Sequence, residues 1–283
     1  MDTSKTYLIT GGAGFLGMEL IRVLTDNEFK NLRVISRNEG QLIALKEKYP
    51  FVDIITGDIA SKFMCEKACK GVDGIFHLAA FKHVGLAETN ARECIFSNVM
   101  GTMNILDQTL TGFPEFIIGI STDKAARVNG VYGATKMLQE KLFAECEKIN
   151  NKTKYRTVRY GNVLYSTGSV LCKWKDKIIN GEEIIVTDED ATRFYWTVDE
   201  AINLVFDCLE GSSDSTPYSI PMRAVRVGDL LAAMIEKYSP NGKAKVQVIG
   251  LQDGENMHEI ITEDGESSEH AEKYTHVELM NII

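Results

Sequence analysis

KTYLITGGAGFLG, residues 5–17, is the stretch whose reading decides the fold. Residues 5–10 are β-rich, residues 11–17 carry glycines at Gly-x-x-Gly-x-x-Gly spacing, and the amphipathic run MELIRVLTDN follows at once. Strand, glycine turn and helix in that order predict a dinucleotide-binding turn. Gly11 permits the tight turn, Gly14 lets backbone approach a pyrophosphate, and Gly17 lets helix and strand pack closely. Phe15 and Leu16 open the helix, where N–H groups and a partial positive charge favour phosphate. The commoner dehydrogenases use Gly-x-Gly-x-x-Gly instead, and a turn without a ligand is the competing reading.

Outward from that turn, strands and helices alternate. LRVIS ends at Ser36, with Arg37 and Asn38 after it. An acid at this strand end suits the ribose hydroxyl of NAD, whereas an arginine accommodates the 2′-phosphate, so Ser36 and Arg37 point to NADP. A helix over residues 41–48 leads to the strand FVDIIT and to Asp58 and Ile59, placed to reach an adenine edge. A second helix, residues 61–70, leads to DGIFHLAA, whose small Ala79 and Ala80 let backbone pass close to a cofactor. Lys82 follows, a candidate for both cofactor and substrate. His77 reads as a structural hydrogen-bonding residue rather than a metal ligand. Asn98, in a long helical stretch, is a cofactor-side residue able to hold the active-site helix in register or order a water. This cadence predicts an α/β protein with a Rossmann-type, doubly wound parallel sheet. The expected division is residues 1–163 for the cofactor, with 191–215 packing back onto them, and 164–283 as a smaller α/β substrate region.

Hydrophobic residues make up 44% and charged residues 25% of the 283, as in soluble globular proteins. A formal charge of −9 argues against nucleic acid or an anionic membrane as principal partner. Of six cysteines, Cys65 and Cys69 sit one helical turn apart, but no second pair or histidine completes a site, so no metal is expected. Reduced thiols in a cytosolic compartment fit this usage. No signal peptide or bilayer-spanning run is read, so the expectation is a soluble cytoplasmic protein.

The chemistry-bearing stretch is ISTDKAARVNGVYGATK, residues 120–136. The apolar strand PEFIIGIS runs into a polar turn, and a helix opens at about Asn129. Tyr132 and Lys136 lie four residues apart, on one helical face. A neighbouring ammonium favours the phenolate of a tyrosine whose ordinary pKa is about 10. Such a phenolate is a general base for a sugar or alcohol hydroxyl. A Tyr-x-x-x-Lys alone is weak, since a solvated helix face gives the same spacing; the preceding Thr122-Asp123-Lys124 and the phosphate turn strengthen it.

Further on, RYGNV ends a strand at Asn162, placed for a substrate phosphate or sugar edge. Lys173, Lys175 and Lys177 read as a solvated face. Arg193, between aromatics in TRFYW, suits a diphosphate clamp, with a buried ion pair as the alternative. Tyr195 and Trp196 read as packing. Residues 198–209 form a helix capped by Thr197. PYSIP and KVQVIG read as strands, 227–238 as a helix, and Glu255 or His258 in GENMHE as nucleotide contacts. The acidic EDGESSEH reads as mobile.

Taken together, TGGAGFLG, HLAAFKHV, SNVMGT, STDKA, YGATK and RYGNV resemble the extended short-chain dehydrogenase/reductase superfamily. STDKA with YGATK, RYGNV, TRF and GENMHE narrow the likeness to the C5-inverting UDP-N-acetylglucosamine 4,6-dehydratases, the CapD-like polysaccharide-biosynthesis group. The resemblance covers about residues 5–275, and Asp123-Lys124 after Thr122 is its discriminating feature. Retaining dehydratases carry Asp-Glu there, and 4-epimerases neither pair. Membership implies tightly held, recycled NADP, a UDP-sugar such as UDP-GlcNAc, and a homo-oligomer. Two departures stand out: Ser166-Thr167-Gly168-Ser169 replaces Ser-Arg-Gly-Ser, and Gln252-Asp253-Gly254-Glu255-Asn256 replaces Arg-Pro-Gly-Glu-Lys.

The implied reaction removes water across C5 and C6 without net redox change. Tyr132 takes the C4 hydroxyl proton as hydride leaves C4, and Thr122 hydrogen-bonds the C4 oxygen. Lys124 removes the C5 proton, its pKa lowered by burial beside Lys136 or the oxidised nicotinamide. Asp123, protonated, releases water at C6. Lys136 binds the nicotinamide ribose and holds down the tyrosine pKa. Asn162, Arg193, Glu255 and Lys82 hold the UDP-sugar. A UDP-sugar 4-epimerase is the rival enzyme; a non-catalytic NADP-binding regulator is the rival of another class.

Overall fold

The computed structural model describes residues 1–239, 241–265 and 267–283. Six apolar runs form a parallel sheet: β1 (Tyr7–Thr10), β2 (Leu32–Ser36), β3 (Asp53–Thr56), β4 (Gly74–His77), β5 (Phe116–Thr122) and β6 (Lys154–Tyr160). Their spatial order is β3-β2-β1-β4-β5-β6. The connections run through α1 (Phe15–Asp26), α2 (Glu39–Lys48), α3 (Lys62–Cys69), α4 (Val84–Thr89), α5 (Ala91–Ile95), α6 (Gly101–Gly112) and α7 (Val131–Ile149). Helices cover both faces, which is why β1 and β4 bury every residue and read as continuous apolar runs. Tyr7 and Ile9 point to one face, packing with Leu20, Leu24 and Val34. Leu8 points to the other, with Ile75, Ile105, Ile117 and Phe143. Strand order reverses beside β1, and such a reversal leaves a crevice beyond the carboxyl ends of the strands.

The second half contributes β7 (Asn162–Val163), α8 (Val170–Asn180), β8 (Ile184–Val186), β9 (Thr192–Trp196), α9 (Val198–Gly211), β10 (Ala224–Arg226), α10 (Val227–Tyr238), β11 (Val246–Val248) and α11 (His276–Ile282). RYGNV is not one strand. The chain leaves the large sheet after Tyr160, and β7 pairs instead with β9, which pairs antiparallel with β10. A third apolar cluster joins Trp174, Ile178, Val225, Leu230 and Leu279. Helix α9 packs on the first face through Ile202 and Val205, and a Thr197–Glu200 capping box starts it. PYSIP forms no strand; Tyr218 makes one isolated bridge to Val158. Within EDGESSEH, Glu266 lies outside the described residues, but Ser268 is fully buried, so that segment is anchored rather than free. Among the described residues no helix is long and apolar enough to cross a membrane.

His77 ends β4 inside the core. Its Nδ1 lies 2.9 Å from Thr10 Oγ1 and its Nε2 3.0 Å from Thr102 Oγ1, so hydroxyls satisfy both ring nitrogens. Burial, then the charge of Lys136, pushes the imidazole down to about 3. An unfolded histidine titrates near 6.5, so the unfolded chain takes up the proton first as pH falls. Native stability is therefore whole above about 6.5 and drains away toward 3. Between pH 6.5 and 4.5 this side chain is expected to remove roughly 2–3 kcal/mol. Urea unfolding of the wild type and His77→Gln across that range checks it: the wild type should show the steeper decline, and equal slopes would assign the acid sensitivity elsewhere.

Candidate active site

A cavity of about 530 Å³ opens at the crevice. Gly11, Gly14, Phe15, Leu16 and Gly17 line one end of it. Gly11 has φ +69°, and a Cβ there would lie 2.8 Å from Ala79 Cα. At Gly17 a Cβ would lie 2.4 Å from Gly12 Cα, so only glycine lets α1 start this close to the turn. No side chain caps α1. The N–H groups of its first turn have no intrahelical acceptor, and the residues carrying them stand at the cavity wall. An uncapped helix start beside a glycine cradle fits a dinucleotide pyrophosphate.

Ser36, Arg37, Asp58 and Ile59 line the adjoining wall. The exposed Arg37 guanidinium lies 3.5 Å from Asp58 Oδ2, and Asp58 Oδ1 accepts from the Ala60 amide. Ala79, Ala80 and Lys82 follow β4 along the same cavity, and Asn162 faces it beyond β6. Burial lowers the Lys82 pKa from its ordinary value.

Strand β5 delivers the chemical groups. Thr122 caps a single 3₁₀ turn, Asp123–Ala125, and its hydroxyl donates to Asp123 Oδ1 at 2.7 Å. The same Oδ1 accepts from the Lys124 amide at 2.9 Å and from Lys124 Nζ at 3.0 Å. Asp123 is fully buried, and its Oδ2 has no hydrogen-bond partner among the described residues. Helix α7 then packs directly on this turn, because a Cβ on Gly133 would lie 2.4 Å from Lys124 O. That contact sets Tyr132 beside Lys124. Thr122, Lys124, Tyr132 and Lys136 all line the cavity.

The electrostatics differ from the expectation. Burial pushes Tyr132 up to about 12, opposed by the charge of Lys124. Lys124, on the turn before α7, thus acts as a cation on the phenol. Lys136 Nζ instead donates to Gln139 Oε1 at 2.6 Å, and burial lowers it to about 8 against the pull of Glu140. Lys124 was expected to have a lowered pKa. Burial acts in that direction, but Asp123 and Glu259 outweigh it, and the net shift is upward.

Several of the expected site residues make hydrogen bonds to protein groups. Asn98, buried in a π-helical turn (Phe96–Met100), spends its amide on protein: Oδ1 accepts from the Phe81 amide, and Nδ2 donates to Phe81 O and Thr135 Oγ1. It therefore ties the loop after β4 to α7 and is not part of the cofactor cavity. Arg193 is buried, and its Nη1 donates to the carbonyls of Thr192 and Met257, bracing β9 against the C-terminal turn. Glu255 lies outside the cavity wall; its carboxylate accepts from the Gln252 amide, and its carbonyl accepts from Asn129 Nδ2. His258 Nδ1 pairs with Thr192 Oγ1 at 2.9 Å. Within the same GENMHE motif the residue that reaches the site is Glu259, 3.3 Å from Lys124 Nζ. Its signal was one more acid in an acidic segment. Tyr160, also on the cavity wall, had no sequence signal beyond its place in RYGNV.

The model of the family described as polysaccharide biosynthesis protein matches residues 7–281. The chain is 36% identical to an uncharacterized membrane protein of Methanocaldococcus jannaschii, over 92% of this chain and 81% of that protein. It is 33% identical to the UDP-N-acetylglucosamine 4,6-dehydratase (inverting) of Campylobacter jejuni, over 94% and 80% respectively. Among solved structures, Pen from Bacillus thuringiensis superposes with a TM-score of 0.92 at 27% identity, covering 99% of this chain and 96% of that one.

Proposed function

Since the chain belongs to the polysaccharide biosynthesis protein family, we propose that it is an NADP-dependent UDP-GlcNAc 4,6-dehydratase that inverts C5. The observation that carries the reading is the convergence of Lys124 and Tyr132 on the cavity that the glycine turn begins. Its product is a UDP-linked 4-keto-6-deoxy-L-hexosamine. Residues 1–163, with 191–215, hold the cofactor, and residues 164–283 complete the sugar-nucleotide site.

The first turn of α1 would hold the pyrophosphate, Arg37 the 2′-phosphate, and Lys136 the nicotinamide ribose. A nicotinamide held there would supply the acceptor for hydride from the sugar C4 and its donor at C6. Tyr132 removes the C4 hydroxyl proton, with the charge of Lys124 stabilising the phenolate. Thr122 holds the C4 oxygen. The C4 ketone acidifies C5–H, and Lys124, once neutral, takes that proton. Asp123 is the acid that turns the leaving C6 hydroxide into water, passing on the proton that Lys124 has taken from C5 across their 3.0 Å contact. Asn162 and Lys82 hold the sugar nucleotide.

Incubation with UDP-GlcNAc in heavy water, followed by NMR, tests the reading. A 4-keto-6-deoxy sugar carrying deuterium at C5, with no net cofactor consumed, is expected. Unchanged substrate, or simple C4 epimerisation, sinks it. The cofactor assignment has its own test. Arg37→Ser should weaken NADP about tenfold, the equivalent of one charge-assisted contact, while leaving NAD unchanged. Titration of both dinucleotides into the apoprotein measures this, and an unaltered NADP-to-NAD ratio would remove Arg37 from the selection.

A further inference from the structure

Glu259 is 1% exposed. Its Oε2 accepts from Asn256 Nδ2 at 3.0 Å, and its amide donates to Ser268 Oγ at 2.8 Å. That serine in turn donates to the Thr192 carbonyl, so the acid is held from the start of β9. Its Oε1 has no hydrogen-bond partner among the described residues and lies 3.3 Å from Lys124 Nζ. Asp123 Oδ1 approaches the same nitrogen at 3.0 Å. Neither the glycine turn nor the Tyr-x-x-x-Lys pair accounts for a second buried carboxylate here. Burying a charge is unfavourable unless it is paired, and removing one partner leaves the others uncompensated.

Building on the dehydratase reading, we propose that Glu259 is a positioning residue for Lys124: its carboxylate enters from the C-terminal segment and completes a buried Asp123–Lys124–Glu259 bridge that aims the amine and sets its charge. Burial disfavours the ammonium, but the two carboxylates favour it more strongly. The other titratable or charged groups facing Lys124 are Arg193 and Tyr195 from β9 and Tyr132 from α7. As a base Lys124 must be neutral, so the rate of C5 proton removal rises with pH, and the bridge fixes where that rise lies. The C-terminal segment thereby controls a group on the turn after β5.

The test is the titration of Lys124 in cofactor-loaded protein with isotope-labelled lysine side chains, its signal assigned by loss in Lys124→Arg. In the wild type the ammonium should persist beyond the ordinary 10.5. Glu259→Gln keeps the size and removes the charge. It should lower the midpoint by about one unit or more, a tenfold gain in neutral amine at fixed pH. Glu259→Asp, one methylene shorter, should shift it the same way by less, which keeps the proposal open to refutation if the glutamine variant does not fold. The pH dependence of C5 deuterium uptake from UDP-GlcNAc should move acidward with the midpoint, with KM little altered. An unmoved midpoint, or a uniform loss at every pH, overturns the proposal and leaves Glu259 a brace. Midpoints that move as expected in a protein that never exchanges C5 support the bridge and overturn the dehydratase reading instead.

Discussion

Lys124→Ala is expected to halt the reaction after its first half. Tyr132 and Thr122 remain, so hydride can still leave C4, more slowly for want of the Lys124 charge beside the phenol, but no group is left to take the C5 proton. Reduced nicotinamide should accumulate on the protein, and 4-keto-6-deoxy product should fall by roughly 10²–10⁴-fold, the usual range for loss of a general base. The signature is near-ultraviolet absorbance of reduced cofactor on mixing with UDP-GlcNAc, with no water lost from the sugar. Full turnover in this variant would remove Lys124 from the mechanism. The substitution also takes the ammonium from between Asp123 and Glu259. Breaking a buried ion pair in this way destabilises by about 3–5 kcal/mol if the charges remain. Lys124→Arg is the control: it preserves a cation, stays protonated throughout the working range, and should also fail to dehydrate.

Tyr132→Phe should fail one step earlier. It removes one oxygen from a half-buried ring and leaves the α7 backbone and the Gly133–Lys124 contact intact. With no base for the C4 hydroxyl, hydride transfer should fall by roughly 10²–10⁴-fold. Added UDP-GlcNAc should therefore leave the bound nicotinamide oxidised, in contrast to Lys124→Ala. A Tyr132→Phe protein that still reduces its cofactor would assign the proton to another group, with Lys124 the first to examine. The two variants thus separate the two halves of the reaction with one absorbance measurement.

Much of this architecture is legible in short stretches of chain. Three glycines, each fixed by a contact of less than 3.3 Å or a positive φ, identify the phosphate turn before any contact is known. Alternation of β-rich runs and amphipathic helices gives the parallel sheet. Helical spacing puts Tyr132 and Lys136 on one face. The break at Gly161 was not legible, because an apolar run carries no mark of which sheet it joins. Nor was the anchoring of Ser268, which depends on Thr192 far back in the chain.

The sequence by itself determined the sheet, the glycine cradle and the turn that bears Thr122, Asp123 and Lys124, since sterics and hydrophobic period act over a few residues. Only the tertiary structure decided which charges meet. Arg193 turns to backbone carbonyls, Lys136 to Gln139, and Lys124 to Glu259. With 31 basic and 40 acidic residues in the chain, spacing cannot select the pairs. Burial makes the selection, because a charge removed from water must find a partner wherever the returning chain brings one.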